Sequence, residues 1–265
     1  MAYLLLSMVL LAATLRVAAP VLASGNLWPQ RLRIEARGVV VLILAISAGA
    51  LLLGTGYALG LLAAGLVKAA GHLVGQRLAG DDDADFRLVP FPRGPEATGT
   101  RPRDDLASFF ILLMGPGLGL APMVAAFALS NLFAETAPGL AEALRSYALA
   151  AGALNFVSLL PLWPLAGGRL VQILVEARFP RVSGLAGAAF AAMFLGMSLT
   201  MQSLLLLLVG LTAAGALMLV PPPQPGPRPG LTRAEARLGL LAYGSMLSAY
   251  LLAGWWVLTL LPASF

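Results

Sequence analysis

The chain has 265 residues, of which 59% are hydrophobic and 11% are charged, and its formal net charge is +5. Soluble domains carry about a quarter charged residues, so this composition excludes a soluble protein and indicates a polytopic membrane protein. The lack of cysteine excludes disulfides, thiolate metal sites and cysteine nucleophiles. The positive charge comes from arginines between apolar runs, a distribution that is not typical of nucleic-acid binding.

Apolar runs separated by glycine, proline and charged residues predict an all-α polytopic bundle of about eight transmembrane helices. The first run lacks a basic segment before it, so we interpret it as a span and not as a cleaved signal peptide. Residues 184–220 fit either one bent helix or a hairpin that turns near "SLTMQS", and we favour the hairpin. The predicted helices are Tyr3–Leu22, Val39–Gly54, Tyr57–Ala79, Leu106–Ser130, Ala143–Pro164, Gly184–Thr200, Met201–Val220 and Leu238–Leu261.

Arginine clusters follow the first, third, fifth and seventh predicted helices and indicate the orientation of the chain. The opposite loops "GT", "NLFAETAPGL" and "LTMQ" contain neither lysine nor arginine. The positive-inside rule then predicts cytoplasmic Arg-rich loops with both termini outside. We expect the location to be a bacterial cytoplasmic membrane. Arg16 and Arg145 lie within predicted spans and do not fit this alternation.

Breaks between the apolar runs divide the chain into five predicted segments. The stretch "PPPQPGPRPG" (Pro221–Gly230) cannot be helical, and we expect it to act as an extended spacer that separates the last helix from the rest. The loop at 80–105 includes the β-prone piece "FRLVPF", which we interpret as part of a solvated loop in preference to a functional element. The segments are two N-terminal spans at 1–56, a core of three spans at 57–183 that includes the cytoplasmic loop 80–105, a hairpin at 184–220, a Pro-rich cytoplasmic linker at 221–237 and a C-terminal span at 238–265.

The third predicted helix holds the only lysine and the only histidine of the chain, in "VKAAGHLVGQRLAG" (Val67–Gly80). Lys68 and His72 are four residues apart and share one helix face, as the two histidines of an HExxH zinc motif do. An ammonium has no lone pair for a metal, and Ala69 cannot act as a base. Lys68 lies ~16 Å from the cytoplasmic helix end, too deep to snorkel. We therefore predict a neutral or hydrated amine, or one bonded to Ser158 or to carbonyls that nearby prolines leave free.

Two further stretches interrupt apolar runs with proline and glycine. In "LNFVSLLPLWPLAGGRLVQIL" (Leu154–Leu174), Pro161 and Pro164 are predicted to break the helix at membrane depth, and Gly167 and Gly168 to loosen the backbone after the break. The stretch "FFILLMGPGLGL" offers a small-residue surface on which a neighbouring helix could pack. The residues of this packing surface are Gly115, Pro116, Gly117 and Gly119.

In this order, "KAAGH", "MGPGLGL" and "PLWPLAGGR" resemble the motifs of the site-2 protease (M50) family of intramembrane zinc metalloproteases. The resemblance covers the third to fifth predicted helices and implies a site-2-protease-like core that admits a substrate segment between its helices. The chain departs from the family pattern at the positions that the chemistry uses. Lys68 occupies the position of the first histidine ligand, Ala69 that of the general-base glutamate and Ala166 that of the aspartate ligand. Gly119 and Ser158 occupy the positions of two asparagines.

His72 alone remains of the three ligands that the resemblance implies, and a catalytic zinc site needs three protein ligands. We therefore expect neither zinc nor another cofactor. The favoured interpretation is a catalytically inactive pseudoprotease that lies in the bilayer and binds or chaperones transmembrane segments of other membrane proteins, with no nucleic-acid partner. The predicted binding cleft consists of Lys68, His72, Ser158, Pro161, Pro164, Gly167 and Gly168.

Two alternative functions stay open. An intramembrane peptidase could act by an unusual route, either through a Ser158–Lys68 nucleophile and base pair or through metal ligands lent by a partner chain. A transporter or channel could use the cleft around Lys68 and His72, because buried ionisable residues often mark proton or anion paths. No buried acid accompanies this pair, which makes it a poor proton relay.

Overall fold

A computed structural model of the protein is mainly α-helical and confirms the all-α class expected from the sequence. It describes residues 2–23, 32–33, 40, 43–44, 46–47, 50–51, 54–81, 84, 86–87, 102–219 and 229–254. The described elements are α1 (Ala2–Ala23), β1 (Leu32–Arg33), α2 (Thr55–Leu78), β2 (Phe86–Arg87), α3 (Asp105–Leu132), α4 (Pro138–Leu159), α5 (Ala166–Arg178), a 3-10 turn (Ser183–Leu185), α6 (Ala186–Thr200), α7 (Leu204–Leu219) and α8 (Arg233–Gly254).

Among the described residues, four helices are long and apolar enough to cross a membrane: α1, α2, α3 and α8. Helix α4 has 22 residues, but Glu142, Arg145 and Asn155 make it less apolar. Helices α6 and α7 are apolar but shorter, with 15 and 16 residues. Half of the residues of the predicted helix at Val39–Gly54 lie outside the described residues. Length and composition therefore support four of the eight expected spans.

Proline sets the end of α4. The helix was expected to continue to Pro164 but ends at Leu159, because Pro161 has no N–H for the helical ladder and disfavours helical geometry in the residue before it. The chain resumes helical structure at Ala166. The two glycines after Ala166 are therefore inside the first turn of α5 and do not loosen the backbone there.

A capping box sets the beginning of α8 at Arg233, earlier than the predicted Leu238. The backbone N–H of Thr232 donates to Oε2 of Glu235 at 2.7 Å, and the backbone N–H of Glu235 donates to Oγ1 of Thr232 at 3.3 Å. Each residue satisfies a backbone donor of the other, which fixes the helix start. Residues 233–237, expected in the linker, thus belong to α8.

Helices α6 and α7 form the hairpin favoured for residues 184–220. Helix α6 ends at Thr200 and α7 begins at Leu204, with Gln202 in the left-handed region at a φ of 47°. The two helices pack closely where Gly210 faces Leu195, since a Cβ at Gly210 would lie 2.9 Å from Leu195 Cγ. The interval is therefore two helices and not one bent helix.

The chain divides into two compact units, and the first consists of residues 1–90 and 110–155. In this unit α1 packs on α2, and Leu32 of β1 pairs in parallel register with Phe86 of β2. Phe86 lies in the "FRLVPF" piece, so part of the expected loop takes extended structure. Helix α2 is the element that the other described helices of this unit contact.

Glycines let α2 and α3 approach each other closely in antiparallel directions. A Cβ at Gly71 would overlap the carbonyl oxygen of Met114, and a Cβ at Gly75 would lie 3.2 Å from the Cα of Ile111. Gly71 and Gly75 form a G-x-x-x-G pattern, which in membrane helices allows backbones to come together. The later residue of α2, Gly75, meets the earlier residue of α3, Ile111, so the two helices are antiparallel.

The second unit consists of residues 91–109 and 156–265, and α8 packs firmly within it. A Cβ at Gly239 would lie 3.2 Å from Leu174 of α5 and 3.2 Å from Phe109 at the start of α3. The backbone N–H of Asp105 donates to the carbonyl of Pro229 at 3.2 Å. The expected separation of the last helix is therefore wrong, because these contacts hold α8 against its unit.

We expect Gly71→Ala to lower the stability of the purified protein by about 1–3 kcal/mol, the usual cost of forcing extra volume into a packed core. The new methyl group would meet the backbone of α3, which cannot rotate away. Thermal unfolding in detergent, followed by circular dichroism, measures the effect.

Gly65→Ala is the matched control, because it lies on the same helix and a Cβ there meets nothing within 4 Å. This variant should be unchanged or slightly more stable. Equal effects of the two substitutions would contradict the close approach of α2 and α3.

Candidate functional site

Lys68 lies in the interior of the first unit on α2. Its side chain is 3% exposed, and Ala69 beside it is also buried. The Nζ atom is buried and forms no hydrogen bond with any residue that the structure describes. Ser158 and the carbonyls near the prolines, which the sequence suggested as partners for this amine, belong to the second unit, so that bond stays a prediction.

His72 follows Lys68 by one helical turn, and its ring is wedged between α2 and α3. Nδ1 lies 3.0 Å from the carbonyl oxygen of Ile111. A carbonyl can only accept, so Nδ1 carries the proton and donates it. In the neutral ring Nε2 then keeps its lone pair, and this buried atom has no hydrogen-bond partner within the described ranges. The hydrogen bond to the Ile111 carbonyl of α3 thus fixes the orientation of the imidazole.

The predicted small-residue surface provides the space for this ring. A Cβ at Gly115 would overlap the His72 imidazole, so only glycine fits at that position. Pro116 and Gly119 are buried on the same helix, and Gly117 is partly buried. Gly115 therefore has a defined packing role, which is to accommodate the side chain that α2 directs toward it.

Asn155 of α4 lies at the depth of Lys68. Helices α2 and α4 run parallel, because Gly56 faces Ser146 and Gly60 faces the Cα of Tyr147. Lys68 is two turns beyond Gly60, and Asn155 is two turns beyond Tyr147, so equal rise brings them to one level. Asn155 donates from Nδ2 to the carbonyl of Ala151 in its own helix at 3.0 Å.

In the second unit, a side chain of α8 forms a hydrogen bond with the end of α4, where the proline-containing loop begins. Leu159 ends α4, and its carbonyl oxygen accepts a hydrogen bond of 2.7 Å from the hydroxyl of Tyr243. A carbonyl left without a partner inside a membrane protein costs free energy, so this bond stabilises the break. No sequence signal pointed to Tyr243, because its partner is 84 residues away.

The two glycines after the break let α5 fold back against the end of α4. A Cβ at Gly167 would overlap the carbonyl oxygens of Leu159 and Leu160, and a Cβ at Gly168 would meet the Leu162 carbonyl at 2.5 Å. Both positions therefore require glycine for space. Their role here is close packing, in place of the flexibility expected from the sequence.

Arg169, the arginine of "PLAGGR", belongs to a charged group on α5 outside the candidate spans. It donates from its guanidinium to Oε1 of Gln172 at 3.0 Å. Burial, and secondly the charge of Asp105, raise the pKa of Glu176, while Arg169 acts in the opposite direction. Arg169 thus partly offsets the repulsion between the two carboxylates.

The candidate site residues fall in both units. The first unit brings together the family-motif positions of α2 and the small-residue surface of α3. The second contains Ser158, Ala166, both prolines and both glycines of the break. Ser158 and Ala166 are buried, with exposures of 1% and 2%. The residues of the predicted cleft are thus divided between the two units.

These residues do not fit the zinc site that the resemblance implies. The sequence contains one histidine and no cysteine. Within the described ranges no three His, Cys, Asp or Glu side chains are grouped so that they could hold a metal ion. The positions of the other two expected ligands carry an amine that cannot coordinate while protonated and a methyl group.

Comparison with protein-family models, curated proteins and solved structures finds no match to this chain. The resemblance to site-2 proteases therefore remains a prediction that depends on the three motif stretches.

We expect Lys68→Met to raise thermal stability, because methionine keeps the apolar stem and removes a buried amine without a partner in the described residues. An unsatisfied buried polar group costs about 1–3 kcal/mol. Unfolding temperature in detergent is the measurement. Lys68→Arg, which keeps a buried polar group at this position, should give no such gain. A lower unfolding temperature for Lys68→Met would show that the amine is satisfied in the resting protein.

Tyr243→Phe should lower stability by about 1–2 kcal/mol, since it leaves the Leu159 carbonyl without its donor. The same unfolding assay measures this loss. Tyr3→Phe, at a position that is 66% exposed, serves as the control and should have no effect. An unchanged Tyr243→Phe protein would mean that the break does not depend on α8.

Proposed function

We propose that the protein is a non-catalytic membrane protein with a site-2-protease-like core that binds transmembrane segments of other proteins. One observation supports this proposal most: Lys68 Nζ and His72 Nε2 are buried one turn apart and have no partner among the described residues. Polar groups inside a membrane protein normally pair with each other or with backbone. A group maintained without a partner, at a cost in stability, is typical of a binding site.

The chemistry of the pair defines the segment that would fit. The lysine supplies hydrogen-bond donors, and Nε2 of the neutral imidazole supplies an acceptor. A transmembrane helix with one carboxyl group near its centre offers an acceptor to Lys68 and, when protonated, a donor to His72. Such a helix would gain a polar contact that the bilayer cannot supply. Selectivity would then come from this contact, since apolar surface alone does not distinguish protein from lipid.

The non-catalytic part of the proposal follows from the substituted positions. Ala69 has no group that could activate water, and Lys68 and Ala166 replace two of the three ligands implied by the resemblance. A site that has lost these groups can still accept a helix. Binding without cleavage is therefore the function that the residues favour over hydrolysis.

The orientation inferred from the arginines belongs to the same proposal. Arg178 ends α5, and Arg233 and Arg237 begin α8, and all three line one cavity of the second unit. Their common location supports placing both loops on one side, which the positive-inside rule assigns to the cytoplasm. We infer that the termini are outside and that the membrane is a bacterial cytoplasmic membrane.

Binding can be tested in liposomes with a fluorescent Leu/Ala transmembrane peptide that carries one central Asp. We expect it to bind the reconstituted protein about tenfold more tightly than the same peptide with Leu, as one charge-assisted hydrogen bond allows. Lys68→Met should abolish this preference. Leu59→Met, on the same helix at a position that is 67% exposed, should retain it.

Two results would contradict the proposal. Equal affinity for the Asp and Leu peptides would show that the buried pair does not select a partner. Cleavage of either peptide by the purified protein, with or without added zinc, would show an active peptidase.

A further inference from the structure

A cavity of about 580 Å³ in the second unit lies among α5, α6 and α8. This volume is in the range of small-molecule and cofactor sites. Its wall is almost entirely apolar apart from three arginines: Arg178, Arg233 and Arg237. All three arginines are exposed and form no ion pair with a described residue. The cavity is distinct from the buried pair of the first unit.

The arginines are gathered at one end of the cavity. Helix α5 reaches the cavity with Leu174 and ends at Arg178, whereas α8 begins at Arg233 and continues inward through Leu240 to Leu247. Gly239 of α8 faces Leu174 near the end of α5, and Tyr243, one turn further along α8, bonds to Leu159, which precedes α5. The two helices therefore run in opposite directions, and the last turn of α5 lies near the first turn of α8. The cavity therefore has a cationic mouth and an apolar interior.

The length of the apolar part matches one leaflet of a bilayer. Arg237, Leu240, Tyr243 and Leu247 follow one another on one face of α8 and all line the cavity. From Arg237 to Leu247 the helix rises ~15 Å, and half of the hydrocarbon core of a bilayer is also ~15 Å. An acyl chain whose headgroup lies at the arginines would extend along this face.

No acidic side chain neutralises this mouth within the described residues that line the cavity. The acidic residue nearest in sequence to Arg233 and Arg237 is Glu235, whose carboxylate accepts bonds from the backbone and the hydroxyl of Thr232 at 2.7 and 2.8 Å. That carboxylate is therefore engaged in the helix cap. Arg178 is additionally positioned by the ring of Phe179, 5.7 Å from its guanidinium carbon.

From these observations we propose that the cavity binds one anionic phospholipid of the surrounding bilayer. The phosphate and its negatively charged headgroup interact with Arg178, Arg233 and Arg237, and an acyl chain fills the apolar interior. The planar guanidinium group of arginine can donate two parallel hydrogen bonds to a phosphate. Basic pockets at the ends of membrane helices attract anionic headgroups. The bound lipid would join α5 to α8 at the side of the membrane where the arginines lie.

Native mass spectrometry of the purified full chain in detergent tests this proposal, with phosphatidylglycerol and phosphatidylcholine of identical acyl chains as probes. We expect one phosphatidylglycerol to bind at saturation, with clearly higher affinity than phosphatidylcholine. Arg233→Gln and Arg237→Gln should each weaken phosphatidylglycerol binding about fivefold, and the double variant about 25-fold. These side chains are exposed, so the variants should fold, as circular dichroism can verify.

Matched controls separate the cavity from general surface charge. Arg181→Gln removes an exposed arginine three residues beyond Arg178 that does not line the cavity, and it should not alter binding. Ala236→Phe fills the cavity without changing charge and should abolish binding, whereas Ala234→Phe on the exposed face should not.

Three outcomes would overturn the proposal. Equal affinity for the two lipids would show that the charged mouth does not select a headgroup, as for a cavity that takes a peptide helix. Equal weakening by Arg181→Gln would indicate diffuse surface attraction. Glycerol phosphate without acyl chains binding as tightly as phosphatidylglycerol would show that the apolar interior is not used.

Discussion

Close approach of helix backbones at glycine is the constraint on which the described helix packing depends. In a bilayer the lipid tails are as apolar as leucine, so helices associate through short-range packing and hydrogen bonds in place of a hydrophobic drive. Gly71 faces the backbone of α3, Gly167 faces the end of α4, and Gly239 faces Phe109 and α5. The same constraint decides which polar groups fit inside, since the His72 ring occupies space that exists only because Gly115 has no side chain.

Much of the helical structure could be predicted from the sequence, because it depends on local chemistry. Apolar runs indicated the positions of α1, α2 and α3, proline indicated the break after α4, and the turn between α6 and α7 was expected. What could not be predicted depends on contacts between residues far apart in the chain. Tyr243 pairs with the Leu159 carbonyl across 84 residues, and nothing in the pattern around either one indicates this bond.

The candidate site was predictable in composition but only partly in geometry. The spacing of Lys68 and His72 placed them on one face of α2, and their burial agrees with the apolar run that contains them. The sequence did not reveal that Ile111 would orient the imidazole, because a backbone carbonyl has no signature in the sequence. The acceptors suggested for the lysine amine belong to the second unit, so their bond to Lys68 stays a prediction.

The packing of α8 has a topological consequence for the second unit. This helix is connected to the rest of the sequence through a proline-rich segment, yet it is held by Gly239 against α5, by the Tyr243 hydroxyl and by the backbone bond from Asp105 to Pro229. Each of these contacts is independent of the covalent connection before Pro229. A protease that cut the chain within 220–228 would therefore nick the protein without releasing its last helix, and the two pieces would purify as one complex.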